Sequence, residues 1–387
     1  MPESHARTRC SPAELQSLLE LHLQALWSDP ARARAIPPLM LWGAPGTGKS
    51  TVVREVAEQL GIGFMDLRLA QREPVDLRGL PVPRGDAVHW LLPAEWPRDP
   101  ASRGILLFDE LTAADRALQV AAYELILDRR LGDLYTLPPG WYVVAAGNRA
   151  EDRAVALPMS SALANRFCHM ELAPDAPGWI AWAQRHGLRP EVTGFIRWRP
   201  GLLLAQQGEL ERGWPSPRAW ERVAHELDLL DAGSLAPPMR RHLVRLVVAG
   251  LVGEAAAAEF LAFCELRETL PDPLAILEGR AAPVVPARAD QRYALCAAVA
   301  WHMRQRPDWL TLADGFLRFG LTLPSDFAAM AMMDALRDRS AAEVAALRAR
   351  PAFAEWSRRH GAALAAGVER EAAALADAVL GGLEAAE

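Results

Sequence analysis

An eight-residue segment rich in glycine, GAPGTGKS at positions 43–50, constrains the fold of this chain more than any other feature. An apolar run ends at Trp42 and an amphipathic stretch begins near Lys49, so the segment joins a strand to a helix. Its glycines let consecutive backbone N–H groups turn inward, and the start of the helix adds a positive partial charge. A strand, an anion-binding turn and a helix in this order indicate a parallel α/β sheet.

The alternation of strands and helices continues to about residue 172. Amphipathic stretches at about 49–60 and 113–130 predict helices between short apolar runs. Ahead of them, the capping pattern that begins at Ser11, with proline at the next position, predicts a helix to about Trp27. The predicted strands are Pro38–Trp42, Gly63–Leu67, Ile105–Phe108, Trp141–Ala146 and Phe167–Leu172.

Two segments interrupt this alternation, and the pattern changes after residue 175. Residues 71–98 are rich in Pro, Gly and Arg and predict a loop or β-hairpin, and residues 130–141 predict a second hairpin. From residue 175 onward, Ala, Leu and Arg recur at helical spacing, which predicts a helical region. The proline-containing stretch Ala281–Arg288 can divide that region near residue 285.

Lysine occurs once in the chain, at Lys49, although lysine and arginine together number 42. A planar guanidinium cannot replace a compact ammonium that must act as a point charge against phosphate oxygens. The segment also matches G-x-x-x-x-G-K-[ST] at every position. We therefore expect Lys49 to bind the β- and γ-phosphates of a nucleotide and the Ser50 hydroxyl to bind Mg²⁺. The other expected nucleotide-binding residues are Gly43, Ala44, Pro45, Gly46, Thr47, Gly48 and Thr51.

Polar side chains follow two of the predicted strands. Asp109 and Glu110 follow a buried strand, and strands of this kind deliver their carboxyl ends to the ligand-binding edge of a sheet. We expect Asp109 to hold Mg²⁺ through water, and Glu110 to orient and deprotonate an attacking water. Asn148 ends a second strand, where its neutral amide can hold that water without competing for the metal. An acidic helix cap and a turn-forming asparagine are the simpler alternatives.

Together these motifs resemble the AAA+ ATPases over roughly residues 10–260, and most closely the MoxR-like branch. After the two Walker motifs come a strand that ends in Asn, then Ala164-Asn165-Arg166-Phe167 and Pro215-Ser216-Pro217-Arg218. The resemblance implies that Asn148 is sensor 1 and that Arg218 is sensor 2. It also implies that Arg166 is an arginine finger that reaches the neighbouring subunit. An ordinary surface ion pair is the alternative for each arginine, and the rival candidates for the finger are Arg129, Arg130, Arg149 and Arg153.

The resemblance completes the predicted organisation. The fold class is α/β, a P-loop NTPase (AAA+) parallel sheet with helices on both faces, followed by an all-α lid and a C-terminal helical region. The domains are the ATPase core with the N-terminal helix and two hairpin inserts at 1–174, the lid at 175–265 and the helical region at 266–387. The two inserts resemble the helix-2 and pre-sensor-1 inserts of the MoxR-like branch.

The resemblance also implies a function. It predicts an ATPase (ATP and water to ADP and phosphate) that requires Mg²⁺ and forms a ring homo-oligomer, with a hexamer expected. Hydrolysis would drive the remodelling or maturation of a protein client, together with a partner that carries a von Willebrand factor A (VWA) domain.

Net charge and composition limit the functions that this chain can have. A net charge of −6 and a pI of about 5.9 argue against a protein that depends on neutralising a nucleic-acid backbone. We expect a cytoplasmic protein, because no apolar run could cross a bilayer, no secretory signal is expected and the cysteines are far apart. Two alternatives stay open. One is a nucleic-acid motor or loader that uses Arg72, Arg78 and Arg84, and the other is a nucleotide switch that does not hydrolyse ATP, against which Glu110 argues.

Overall fold

The computed structural model describes residues 9–149, 159–206, 212–268 and 270–380. The chain divides into two compact units, Met1–Pro174 and Asp175–Glu387. In the described part of the chain, no helix combines the length and the apolar character needed to span a membrane.

A parallel sheet forms the centre of the first unit. Six strands belong to it within the described residues, in the spatial order β1, β10, β2, β9, β6, β3, and every neighbouring pair is parallel. The predicted parallel α/β fold is therefore confirmed. Their bounds are β1 (Arg9–Cys10), β2 (Leu39–Trp42), β3 (Gly63–Arg68), β6 (Arg103–Asp109), β9 (Gly140–Gly147) and β10 (Cys168–Leu172).

Two short antiparallel hairpins also belong to the described part of this unit. The first joins β4 (Leu80–Arg84) to β5 (Ala87–Leu91), and the second joins β7 (Arg130–Leu131) to β8 (Tyr135–Thr136). They lie within the two segments that interrupt the alternation of strands and helices in the sequence.

Helices cover both faces of the sheet. Leu106 and Phe108 of β6 face one hydrophobic core, while Ile105 and Leu107 of the same strand face the other. This alternation is what a strand buried on both faces requires. The helices of the first unit are α1 (Pro12–Ser28), α2 (Lys49–Gln59), α3 (Pro74–Arg78), α4 (Arg116–Asp128) and α5 (Ser161–Ala164).

The helix predicted at 113–130 is shorter in the structure. It begins at Arg116, because the side chain of Asp115 caps its first turn by accepting a hydrogen bond from the Leu118 N–H at 2.8 Å. It ends at Asp128, because Arg129 adopts the left-handed conformation with φ of 57°. A further strand, β1, was absent from the prediction, since two residues are too few to show a period.

The second unit is helical, and its described residues form two hydrophobic cores. One core surrounds Phe195, Trp220 and Phe260, and the other surrounds Trp309 and Trp356. The tryptophans of these cores serve in the packing of helices. The division of this unit at residue 265 stays a prediction. The helices are α6 (Ala176–Arg185), α7 (Pro190–Trp198), α8 (Pro217–Ala232), α9 (Pro237–Val252), α10 (Glu254–Glu268), α11 (Pro273–Leu277), α12 (Ala289–Gln305), α13 (Ala313–Thr322), α14 (Ser325–Leu336), α15 (Ala341–Arg348) and α16 (Pro351–Leu380).

Candidate nucleotide site

The turn between β2 and α2 is built by glycines that take conformations unfavourable to other residues. Gly46 has φ of 79° and Gly48 has φ of 93°, both in the left-handed region. Gly48 is the N-cap of α2 and provides no side-chain hydrogen bond to the first turn.

Several other helices of the chain begin with a side-chain cap. The side chains of Ser11, Asp115 and Ser216 cap α1, α4 and α8 by accepting a hydrogen bond from the first turn. At α2 the N–H groups of the first turn have no such acceptor from the N-cap, and the positive end of the helix dipole is at the same place. A phosphate group would supply the acceptor, so the turn fits a nucleotide phosphate chain.

Lys49 connects the turn to the neighbouring strand. Its buried ammonium donates hydrogen bonds to the carbonyl oxygens of Gly43 at 2.6 Å and Ala44 at 3.1 Å. It also donates to Oδ1 of Asn148 at 3.0 Å. The structure therefore brings together Lys49 and Asn148, two predicted site residues that lie 99 positions apart in the chain. These three acceptors are neutral, so an anionic ligand could compete with them for the ammonium.

Glu110 occupies a strained position directly after β6. Its φ is 58°, which is uncommon for a residue with a side chain and costs on the order of 1–3 kcal/mol. The Glu110 N–H donates to Oδ1 of Asp109 at 2.9 Å, and the Leu111 N–H donates to the Ala146 carbonyl of β9 at 2.9 Å. The second of these bonds holds the turn to the adjacent strand. Strain maintained by such contacts is typical of functional sites.

Thr112 binds the end of β9 to this turn, and it is not among the residues predicted from the sequence. Its hydroxyl donates to the Asn148 carbonyl at 3.2 Å and accepts from the Asn148 N–H at 3.2 Å. A Cβ at Gly147 would lie 2.8 Å from Thr112, so only glycine fits between them. Thr112 thus fixes the backbone of Asn148. A threonine after two acids gives no recognisable signal, because its partner lies 36 positions away.

Asp66 on β3 is a second polar residue that the sequence analysis missed. One carboxylate oxygen, Oδ2, accepts from Arg54 of α2 at 3.3 Å, whereas Oδ1 is buried with no partner among the described residues. Burial raises the pKa of Asp66, and the charge of Asp109 raises it further. The charges of Arg68 and Arg54 oppose this shift. The acidic groups of β3 and β6 therefore make this edge of the sheet favourable for a cation.

The expected metal ligands of the site are Ser50 and Asp109, which belong to two different elements. Ser50 lies in the first turn of α2, and Asp109 is the last residue of β6. A hydroxyl and a carboxylate are oxygen ligands of the kind that Mg²⁺ prefers. No group of three or more His, Cys, Asp or Glu side chains suited to a metal occurs within the described residues. A magnesium site here would therefore depend on these few oxygens together with phosphate oxygens.

Comparison with known proteins agrees with this geometry. Residues 39–161 match the AAA family, the ATPase family associated with various cellular activities. The chain carries an AAA ATPase domain. Proteins with this domain are in general ATPases that hydrolyse nucleotides. No curated protein matches the chain significantly.

Solved structures show weaker similarity. RuvB from Thermotoga maritima, a Holliday junction branch migration motor, is 17% identical with a TM-score of 0.34, and the match covers 73% of this chain and 81% of RuvB. NtrX from Brucella abortus in complex with ADP is 15% identical with a TM-score of 0.34, over 83% of this chain and 65% of NtrX. Values this low indicate neither a substrate nor a partner for the present chain. The MoxR-like subfamily also stays a prediction.

The two arginines assigned by resemblance are both exposed. Arg166 follows α5 of the AAA domain unit, just before β10, and Arg218 lies in the first turn of α8 in the second unit. Ser216 caps that turn by accepting from the Ala219 N–H at 3.2 Å. Exposure leaves each guanidinium accessible to another group, and the roles of finger and sensor 2 stay predictions.

The rival finger candidates differ in their surroundings. Arg129 is buried and donates to the carbonyl oxygens of Pro138 at 2.9 Å and Trp141 at 2.7 Å. Burial lowers its pKa to about 10. A guanidinium used in this way holds the backbone and cannot reach another subunit, so the structure argues against Arg129 as a finger.

Two other rivals have acidic neighbours. Arg149 is paired with Glu171, and Arg130 lies 3.6 Å from Glu124. Arg153 lies outside the described residues.

Proposed function

We propose that this chain hydrolyses ATP with Mg²⁺ as a MoxR-like AAA+ ATPase, and that hydrolysis drives the remodelling or maturation of a protein client. The observation that carries the hydrolytic part of the proposal is the hydrogen bond between Lys49 and Asn148, whereas the MoxR-like subfamily and the client are inferred from the sequence resemblance. This bond joins the phosphate-binding turn to the strand beside Asp109 and Glu110, so that the four side chains belong to one edge of the sheet.

Each residue has a chemical task in this proposal. The N–H groups of the turn bind phosphate oxygens, and the Lys49 ammonium exchanges carbonyl acceptors for a phosphate. Ser50 and Asp109 would hold Mg²⁺, which, when bound, neutralises charge on the phosphates. Glu110 accepts a proton from the attacking water at a carboxylate oxygen. Asn148, fixed by Thr112, orients that water.

Assembly supplies the remaining groups. We propose a ring homo-oligomer, with a hexamer expected, in which Arg166 acts on the neighbouring subunit and Arg218 acts from the lid. The accessibility of both arginines supports this assignment. A partner with a VWA domain follows from the MoxR-like resemblance alone. Four free cysteines suit a reducing compartment and support a cytoplasmic location.

A mixing experiment tests the catalytic assignment. Glu110→Gln protein should retain ATP without hydrolysing it, and Arg166→Ala protein should lack the finger. In a mixed ring, an Arg166→Ala subunit keeps Glu110 and receives Arg166 from its neighbour. Phosphate release should therefore rise well above that of either variant alone, because a finger supplied by a neighbour raises the turnover rate about 10³–10⁵-fold.

Controls separate the alternatives. Arg32→Ala removes an exposed pair with Asp29 and should leave turnover unchanged. Normal hydrolysis by Glu110→Gln would contradict its role, and a flat response to mixing would remove the finger from Arg166. Phosphate release by the assembled wild-type protein no greater than that of Lys49→Ala would support a nucleotide switch. Stimulation of hydrolysis by single-stranded DNA would support a nucleic-acid motor.

A further inference from the structure

The β4–β5 hairpin presents apolar side chains to solvent on both of its faces. Leu80, Val88, Trp90 and Leu91 are 58%, 60%, 43% and 51% exposed. Single exposed apolar residues are ordinary, whereas a cluster of this kind on one small element marks an interaction site. The hairpin is therefore a candidate binding element rather than a part of the core.

The base of the hairpin is anchored, although its strands are exposed. Leu77 is buried in the core under the sheet, and Leu92 packs against the same core. Between them Gly79 has φ of 90°, and a Cβ there would lie 2.5 Å from the Leu91 carbonyl oxygen. The two strands thus leave the core from a fixed, tightly packed point.

The register determines which backbone groups point outward. Gly85, with φ of 64°, and Asp86 form a two-residue turn, so the flanking residues Arg84 and Ala87 are a hydrogen-bonded pair. Hydrogen-bonded and non-hydrogen-bonded pairs alternate along an antiparallel ladder. The non-hydrogen-bonded pairs are therefore Pro83 with Val88 and Pro81 with Trp90, and the backbone groups of these residues point away from the partner strand.

The two edges of the hairpin are unequal as a consequence. On β4 both outward positions are prolines, Pro81 and Pro83, which have no N–H and cannot pair with another strand. On β5 the outward positions are Val88 and Trp90, and each has an N–H and a C=O directed away from β4. One edge is closed to strand addition and the other is open.

We propose that the open edge of β5 binds an extended, apolar segment of a protein client, which adds to the hairpin as a third strand. This rests on the proposed function and identifies the part of the chain that holds the client. Backbone groups at two alternate residues match the repeat of an extended polypeptide, and apolar side chains on both faces of the hairpin match alternate side chains of such a segment.

Two cations beside the hairpin can bind acidic residues of that segment. Arg78 and Arg84 are exposed, and neither has an ion-pair partner among the described residues, while Arg72 is paired with Glu95 at 3.4 Å. Acidic residues next to the apolar run would complement these two cations. A nucleic acid would use the same cations and leave the backbone groups of Val88 and Trp90 without partners.

Substitutions at Val88 separate strand addition from general hydrophobic binding. Val88→Pro removes the outward N–H and keeps an apolar side chain, and the ladder does not use that N–H. Val88→Thr keeps the N–H and reduces the apolar character. The probe is fluorescently labelled, reduced and carboxymethylated α-lactalbumin, a permanently unfolded acidic polypeptide, titrated with the full chain and followed by anisotropy.

We expect Val88→Pro to bind the probe about tenfold more weakly than the wild type, because a hydrogen bond is lost and its acceptor is left unpaired. Val88→Thr should stay within about twofold of the wild type, since the backbone is unchanged. Hydrolysis without the probe should be equal in all three proteins. A further variant, Pro83→Val, restores an N–H on β4 and should increase the number of probe segments bound.

Several outcomes would overturn the proposal. They are equal affinity of Val88→Pro and the wild type, no binding by the wild type, displacement of the probe by single-stranded DNA, and oligomerisation that Val88→Pro abolishes. The last would show that a second copy occupies the edge. Because phosphate release is measured on the same samples, an inactive wild type would count against the proposed ATPase, whereas an active wild type without probe binding would count against strand addition alone.

Discussion

The two hairpins of the first unit arise from similar segments of sequence, but one is packed against the core and the other is exposed to solvent. In β7–β8, Leu131 and Tyr135 are buried against the sheet, and the Tyr135 hydroxyl donates to the Pro97 carbonyl at 2.9 Å. In β4–β5, Leu80 and Trp90 are exposed. One hairpin is part of the core of the first unit, and the other extends from it.

The difference follows from what lies at the base of each hairpin. Arg129 precedes β7 and donates hydrogen bonds to two backbone carbonyls beyond β8, so a buried cation joins the two ends of the β7–β8 hairpin. At the base of the β4–β5 hairpin, Gly79 lets the two strands approach closely and adds no side-chain contact of its own. A buried guanidinium fixes the segment that leads into β9, whereas a glycine leaves the strands free to meet a partner. The content of turn-forming residues alone does not distinguish a packed hairpin from an exposed one.

The largest effect that tests this comparison is expected for Arg129→Met. The variant leaves the Pro138 and Trp141 carbonyls without a donor in a buried position, and each hydrogen bond to a charged group contributes about 1.5–3 kcal/mol. We expect the free energy of unfolding to fall by about 3 kcal/mol in urea titrations followed by circular dichroism. Arg130→Ala is the matched control, because Arg130 is exposed, and its change should stay below about 0.5 kcal/mol. Equal effects of the two substitutions would mean that the hairpin is not held by the buried cation.

Arg129 also shows where reasoning from the sequence ends. The candidate site residues Lys49, Asp109, Glu110 and Asn148 could be named because each follows from a strand end or a glycine-rich turn, both of which are local patterns. Arg129 depends on a left-handed backbone and on carbonyls that lie 9 and 12 positions away. Such contacts exist only after the chain has folded.

The same limit applies to the other features that the sequence did not reveal. Thr112 binds a backbone that lies 36 positions away, and Asp66 approaches the site through the pairing of β3 with β6. The edge strand β1 is too short to have a pattern. Side chains that support a site are thus harder to predict than the groups that carry its chemistry, because support depends on pairing between distant segments.

An intermediate effect is expected for Tyr135→Phe. The substitution keeps the ring in the core and removes the hydrogen bond to Pro97, so the free energy of unfolding should fall by about 1 kcal/mol. The same urea titrations would measure it. Tyr123→Phe is a matched control, since Tyr123 is only half-buried and its hydroxyl donates to Oε1 of Gln119 at 3.2 Å. Its free energy of unfolding should fall by less. A change for Tyr135→Phe no larger than that of the control would show that the β7–β8 hairpin is less tightly held than its contacts indicate.

The smallest effect is expected for Leu80→Ala in the exposed hairpin. Leu80 is 58% exposed, so truncation removes little buried area, and the free energy of unfolding should change by less than about 0.5 kcal/mol. The substitution keeps the backbone pairing of β4 with β5, so hydrolysis without a client should also be unchanged. A loss as large as that of Tyr135→Phe would mean that the β4–β5 hairpin is packed in solution, and its edge could not then be open to an added strand. Stability measured at this one leucine therefore decides whether the two hairpins differ in the way that the binding of a client requires.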